Sequence, residues 1–177
     1  MNSSIKYQIL KNNFFKSWIS RLKKNKVKIL KTKYFFKILR KNSNWQVLGI
    51  DTKIKVKNNT YYRYAQISPE SVTIVPILKI KKQFYTMLVS QFRAPAGGYT
   101  FEFPAGSINN RMPKKTAQQE IFEELNLNVE IKDIKPLIKK KLYVDSAFST
   151  SSVHYFYFKK KIDTKFLEKF KNKKTGI

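Results

Sequence analysis

The sequence predicts an α+β domain, layered as an α/β/α sandwich around a mixed sheet, and three observations carry that reading. Residues 72–80 (VTIVPILKI) are an apolar, β-branched run of strand length, and 84–92 (FYTMLVSQF) read as a second strong strand. Residues 113–125 (PKKTAQQEIFEEL) have helical composition, with proline in the first turn, where its missing N–H costs nothing. More strand-like runs follow at 129–134, 138–144 and 153–159. A strand–helix–strand order with antiparallel-looking strands is the pattern of a layered domain with one core.

The elements read in order as follows. Residues 14–24 (FFKSWISRLKK) place Phe14, Trp18, Ile19 and Leu22 near helical spacing. A surface helix, a basic targeting segment and a helix packed on the domain all fit it. Residues 27–40 alternate loosely and suit a strand or two, and 45–56 (WQVLGIDTKIKV) suit another. Asn58, Asn59 and Thr60 signal a turn. Pro76 inside 72–80 suggests a bulge or an edge position. Ala94 to Gly98 (APAGG) is a turn, and 99–103 a short strand. Ile121, Phe122 and Leu125 form the apolar face of the helix opposite its acids, and 163–170 suit a last helix.

The chain of 177 residues, 42% hydrophobic and 15% aromatic, is large enough for a sizeable core. It has no cysteine and one histidine, His154, so disulfides, thiolate metal sites and multi-histidine zinc sites are excluded. No run of 18 apolar residues occurs, so no transmembrane segment is expected. An intracellular setting, cytoplasmic or organellar, is expected. The formal charge is +26, from 37 Lys+Arg against 11 Asp+Glu. The first 50 residues contain no acid. Two causes stand open: codon bias toward Lys, Asn, Ile, Phe and Tyr, and a polyanionic partner such as RNA.

Against this background the acids gather in one stretch. Glu102, Glu120, Glu123 and Glu124 all fall within 101–125. On a helix Glu120 and Glu124 are i,i+4, and Glu120 and Glu123 are i,i+3, spread over about 100° of one face. Like charges so placed repel by about 0.2–0.5 kcal/mol per pair. A hard divalent cation, which prefers carboxylate oxygens, would remove that cost.

Residues 106–127 (GSINNRMPKKTAQQEIFEELNL) resemble the signature of Nudix hydrolases. Gly106 matches the opening glycine, and Glu120, Ile121, Glu123, Glu124 and Leu127 match the second half. Pro104-Ala105-Gly106, Glu102 two residues before Pro104, and Gln91-Phe92-Arg93 resemble the branch acting on ADP-ribose and ADP-sugars, closest to the plant-type ADP-sugar diphosphatases. Phe15-Lys16-Ser17-Trp18-Ile19 and Lys173-Lys174-Thr175-Gly176-Ile177 look like flanking segments of the same group. The resemblance thus covers nearly the whole chain. It implies a Nudix fold with an N-terminal helix and strand extension over 1–60 and a Nudix-like domain over 61–177, shorter at its C-terminus than the family.

The resemblance also implies a chemistry and its residues. A divalent metal, Mg²⁺ or Mn²⁺, would be bound by Glu120, Glu124 and the backbone carbonyl of Ala105. Glu120, Glu123 and Glu124 form the implied catalytic set, with Glu123 a further ligand or an aid to water activation. Arg93 would clamp phosphate, Glu102 would orient the substrate or Arg93, and Gly106 would line the substrate site. The substrate would be a nucleoside diphosphate sugar, and a homodimer would fit. The box also departs from the family pattern. It is one residue short between Gly106 and Glu120, Arg111 stands at the first glutamate position, Gln119 replaces an orienting arginine, and Asn126 replaces a helix-ending glycine. Of the acids expected after the box only Asp145 is present in 145–152. A rival reading is a weakly active or inactive Nudix-fold subunit of an RNA-rich assembly such as a ribosome.

Overall fold

The computed structural model describes residues 12–38, 47–108 and 112–168. Arg111, Trp45 and the segment 173–177 lie outside them. The chain forms two compact units, one from residues up to 70 together with 143–152, the other from 71–142 and the residues after 152.

The first unit is a helix on a three-stranded sheet. Helix α1 (Asn13–Lys24) starts at Asn12, whose side chain accepts from the N–H groups of Phe14 (2.8 Å) and Phe15 (3.1 Å). Such a cap contributes about 1 kcal/mol. Arg21, Lys23 and Lys24 occupy the last turn, the favourable end of the helix dipole for cations. Strands β1 (Lys28–Ile38), β2 (Val47–Val56) and β3 (Asn59–Ile67) pair antiparallel in chain order. The reversal between β2 and β3 lies at Lys57-Asn58, one residue earlier than expected, with Lys57 taking the left-handed position. Phe15 and Trp18 of α1 pack with Leu48, Ile50 and Ile67, joined by Ile29 and Tyr34. The segment 143–152 is held to β3 by backbone bonds between Gln66 and both Phe148 and Thr150.

The second unit holds the larger core. Strands β4 (Ser71–Ile80) and β11 (Ser152–Lys161) run parallel at its centre. Strands β5 (Gln83–Tyr85) and β8 (Ala105–Ser107) pair antiparallel with β4, and β9 (Lys135–Pro136) with β11. The sheet is therefore mixed, as expected. Strands β6 (Val89–Arg93) and β7 (Gly98–Glu102) make a separate hairpin, and β10 is the two-residue strand Leu142–Tyr143. Helix α2 (Pro113–Leu125) packs on β4 and β8, and α3 (Thr164–Glu168) follows β11. Val72, Ile74, Leu78, Ile121, Leu125, Ile134 and Phe158 are the centre of the core. Each such side chain contributes about 1.5–3 kcal/mol by leaving water.

Several elements differ from the sequence expectation. Pro76 makes neither a bulge nor an edge: the β4–β11 register runs unbroken from Val153↔Ser71 to Lys161↔Lys79. On its other side β4 pairs with β8 through residues 71–73 and with β5 through 78–80. Pro76 falls in the gap between those ladders, where no donor is needed. Residues 84–92 are not one strand. They break at 86–88, where the Thr86 hydroxyl donates to the Pro76 carbonyl at 2.9 Å, and the halves join different sheets. Residues 129–134 are not a strand. Val129 and Ile134 are buried while Ile131 is 37% exposed, and a 3-10 turn fills Ile131–Asp133. Residues 138–144 contribute only the two-residue β10, because Ile138, Leu142, Tyr143 and Val144 reach no core. In α2, Phe122 is exposed, and Thr116 and Ala117 complete the buried face with Ile121 and Leu125.

Asn126 ends α2 in the left-handed conformation (φ 52°, ψ 38°), with its N–H donating to the Phe122 carbonyl at 2.9 Å. Asparagine tolerates this conformation and alanine does not. Asn126→Ala is expected to cost about 1 kcal/mol and Asn126→Gly to be near neutral, read from urea unfolding midpoints.

Candidate active site

The site is built where α2 meets β8 and the β6–β7 hairpin. Glu120 and Glu124 are one helical turn apart on α2, and both are half-buried against β8. Glu124 is held at both oxygens. Its Oε2 accepts the Ala105 N–H at 3.1 Å, and its Oε1 accepts from Gln91 Nε2 at 2.9 Å. Burial pushes the Glu124 carboxyl up, opposed by the Ala105 and Gln91 hydrogen bonds and by the charge of Arg93. The Pro104 carbonyl faces β4, where it accepts the Ile74 N–H at 2.8 Å. Strand alternation then turns the N–H and the carbonyl of Ala105 to the opposite edge, the edge Glu124 occupies.

Gly106 makes room for Glu120. A Cβ at this position would lie 1.8 Å from Glu120 Oε1 and 2.1 Å from its Cδ. Any side chain here would expel the carboxylate.

The β6–β7 hairpin has two unlike faces, fixed by its register of Gln91↔Thr100 and Phe92↔Tyr99. Gln91, Arg93, Thr100 and Glu102 share the face toward Glu124. Arg93 donates to Glu102 through Nε (2.8 Å) and Nη2 (2.5 Å), and the Thr100 hydroxyl donates to Glu102 Oε1 at 2.5 Å. The paired Arg93 guanidinium, more than any other influence, lowers the Glu102 carboxyl to about 2. The same pairing raises Arg93 above its ordinary value, with a smaller contribution from Glu124. The Glu102 sign is that of a depressed acid. The pair's contribution is present above the ordinary carboxylate range and is lost as pH falls toward about 2. The other face carries Phe92 and Tyr99 edge to face at 5.6 Å, with Tyr99 and Phe101 largely exposed rather than in the core.

The structure brings together Arg93, Glu102, Ala105, Gly106, Glu120 and Glu124. Glu123 stands apart: it is exposed, and its Oε1 accepts from Gln119 Nε2 at 2.6 Å. Gln119, in place of the expected arginine, therefore serves Glu123 rather than Glu120. Asp145 lies in the first unit, where its Oδ1 accepts the Ala147 N–H at 3.2 Å. Arg111 lies outside the described residues. The sequence pattern assigns Gln91 and Thr100 no role; the hairpin register that sets them beside Arg93 and Glu102 does. A groove of about 790 Å³ beside α2 is lined by Gln118, Phe122, Leu127 and Ile131 but by neither Glu120 nor Glu124. Among the described residues no three His, Cys, Asp or Glu side chains are grouped to hold a metal ion. Oxygen donors here are two carboxylates and one carbonyl edge.

No family model matches the chain. Over 89 residues, 49% of the chain, it is 32% identical to an ADP-sugar pyrophosphatase of Mus musculus. That match spans only 39% of the mouse protein's length. A crystal structure of an ADP compounds hydrolase superposes with a TM-score of 0.54 at 20% identity, covering 75% of this chain and 66% of the other. The fold match and the motif at 106–127 agree on a Nudix-like fold, and over about half its length the chain is similar in sequence to an ADP-sugar pyrophosphatase.

Proposed function

We propose that this chain hydrolyses the pyrophosphate of a nucleoside diphosphate sugar, an ADP-sugar or ADP-ribose, with Mg²⁺ or Mn²⁺ held by Glu120, Glu124 and the Ala105 carbonyl. The convergence of Glu120 and Glu124 on β8, beside the Arg93–Glu102 pair, carries this reading. The donor set fits such an ion, because Mg²⁺ commonly takes one or two carboxylates and completes its shell with water and substrate phosphate. The names of the mouse relative and of the structural neighbour support the substrate class.

A cation bound there would offset the charge that develops on the phosphoryl oxygens and lower the pKa of an attacking water. The rest follows from the chain's own groups. Glu102 uses the Nε and one Nη2 hydrogen of Arg93, and the guanidinium has five N–H donors in all. The remaining donors of Arg93 are held in one orientation and can meet a phosphate without the pair breaking. Gln91 and the Ala105 N–H fix both oxygens of Glu124, so its outward lone pairs keep one direction. Gln91 is a positioning residue in this scheme. Gln91→Ala is expected to weaken Mn²⁺ binding by about 10–100-fold, measured by calorimetric titration, with the fold retained. Glu123, turned outward to Gln119, contributes less than either neighbour.

The reading is tested by product release from ADP-ribose, ADP-glucose and UDP-glucose with Mg²⁺ or Mn²⁺, comparing wild type with Glu120→Gln. Metal-dependent turnover lost in Glu120→Gln is the expected result. Folded wild-type protein that releases no more product than the variant would sink it.

A further inference from the structure

The face of the β1–β3 sheet away from α1 has an arrangement that the hydrolase reading leaves unused. Leu48, Ile50 and Ile67 point to α1, so their strand neighbours point the other way. The register then sets Lys28 opposite Lys55, Lys31 opposite Lys53, and Lys33 opposite Asp51. Lys53 in turn faces Tyr62 of β3. Five lysines meet one aspartate on this face. Like charges directly opposite each other oppose strand pairing. The first unit tolerates two such rows next to each other.

Exposed rings lie between the charges. The β1–β2 register shifts twice, between Ile29 and Lys31 and between Tyr34 and Phe36. The second shift leaves Phe35 and Phe36 both exposed, with Phe36 lying over Gly49. The Lys33 ammonium sits 5.3 Å from the Phe35 ring centroid, and the Lys53 ammonium 5.3 Å from that of Tyr62. Tyr62 is 65% exposed. Codon bias accounts for many lysines. It does not account for their alternation with exposed rings on one face of a sheet whose other face is packed.

We propose that this face binds single-stranded nucleic acid, with lysines on the phosphates and Phe35, Phe36 and Tyr62 offering surfaces on which bases stack. Open antiparallel sheets with this pairing of cation and ring suit single strands, since every base has a π-face and every linkage a charge. From the Lys28–Lys55 row to the Phe36–Gly49 row is about 20 Å, room for roughly four nucleotides. An anionic lipid surface would use the lysines and the exposed Phe35, Phe36 and Ile38, and the vesicle comparison in the test separates it from a single strand.

The test is fluorescence anisotropy of the full chain with a labelled 20-nucleotide oligo(U), across a salt series. The comparison ligands are a duplex of equal length and vesicles containing phosphatidylserine. Lys31→Glu/Lys53→Glu is expected to weaken oligo(U) binding at least about 10-fold and to flatten the salt slope by about 1.4. Tyr62→Ala is expected to weaken it about 10-fold with the slope unchanged. Lys139→Glu/Lys140→Glu, equal in net charge and in the second unit, is expected to change it less than about 2-fold. Lys31→Gln/Lys53→Gln replaces the first variant if circular dichroism shows that it does not fold. Equal loss in the Lys139/Lys140 variant would mean that bulk charge alone binds, and would overturn the proposal. Duplex bound as tightly as the single strand, or vesicles bound in place of oligo(U), would overturn it too.

Discussion

Glu124→Gln is expected to reduce metal-dependent turnover by more than about 100-fold, beyond the loss that follows from removing an outer partner of a ligand. The substitution keeps the shape of the side chain and removes its charge. The fold should survive. The new amide can keep its oxygen on the Ala105 N–H and give its nitrogen to Gln91, whose own amide flips to present oxygen. An unfolding midpoint within about 0.5 kcal/mol of wild type, measured with the kinetics, would separate lost chemistry from lost structure. An active Glu124→Gln variant would remove Glu124 from the reaction.

Gly106→Ala is expected to be nearly as damaging to turnover while costing little stability. The added methyl occupies the place of the Glu120 carboxylate, whose Cγ would also be only 2.8 Å away. Glu120 sits at the end of a flexible side chain, so it can swing out to solvent without disturbing Ile121 or Leu125 beneath it. A loss of about 10–100-fold in metal affinity, with unchanged thermal unfolding, is the expected signature. A variant of wild-type activity would mean that Glu120 is not held where it is needed.

The parts of the fold legible in the sequence are those where local pattern and burial coincide. Helix α2 could be read to the residue, because Pro113 starts it and Asn126 can adopt the left-handed stop. Strand β4 could be read because Val72, Ile74, Leu78 and Ile80 face one core. The apolar pattern misreads segments whose fate is set by the partner each residue meets. Residues 84–92 look continuous, yet β5 pairs with β4 while β6 pairs with β7. Residues 129–134 have the composition of a short strand, yet only Val129 and Ile134 have a core to enter. The core choice within α2 shows the same limit: Phe122 and Ala117 are both apolar, and only the tertiary packing buries the second.

The site divides in a similar way. The acids stood out because acids are scarce in this chain, and the i,i+4 spacing placed Glu120 and Glu124 together. It could not show that Glu123 turns to Gln119, or that Gln91 reaches Glu124 from 33 residues away. The Gln119–Glu123 bond is an i,i+4 contact within α2 that the spacing permits but does not require, whereas the reach of Gln91 depends on how the β6–β7 hairpin meets the helix, which no local pattern encodes.

The most direct measurement is the equilibrium binding of Mn²⁺, followed by electron paramagnetic resonance, to wild type, Glu120→Gln and Glu124→Gln. A site in the wild type that weakens at least about 10-fold in each variant is the expected result. Binding unaffected by either substitution, or no binding above background by folded wild-type protein, would contradict a cation site built from Glu120, Glu124 and Ala105.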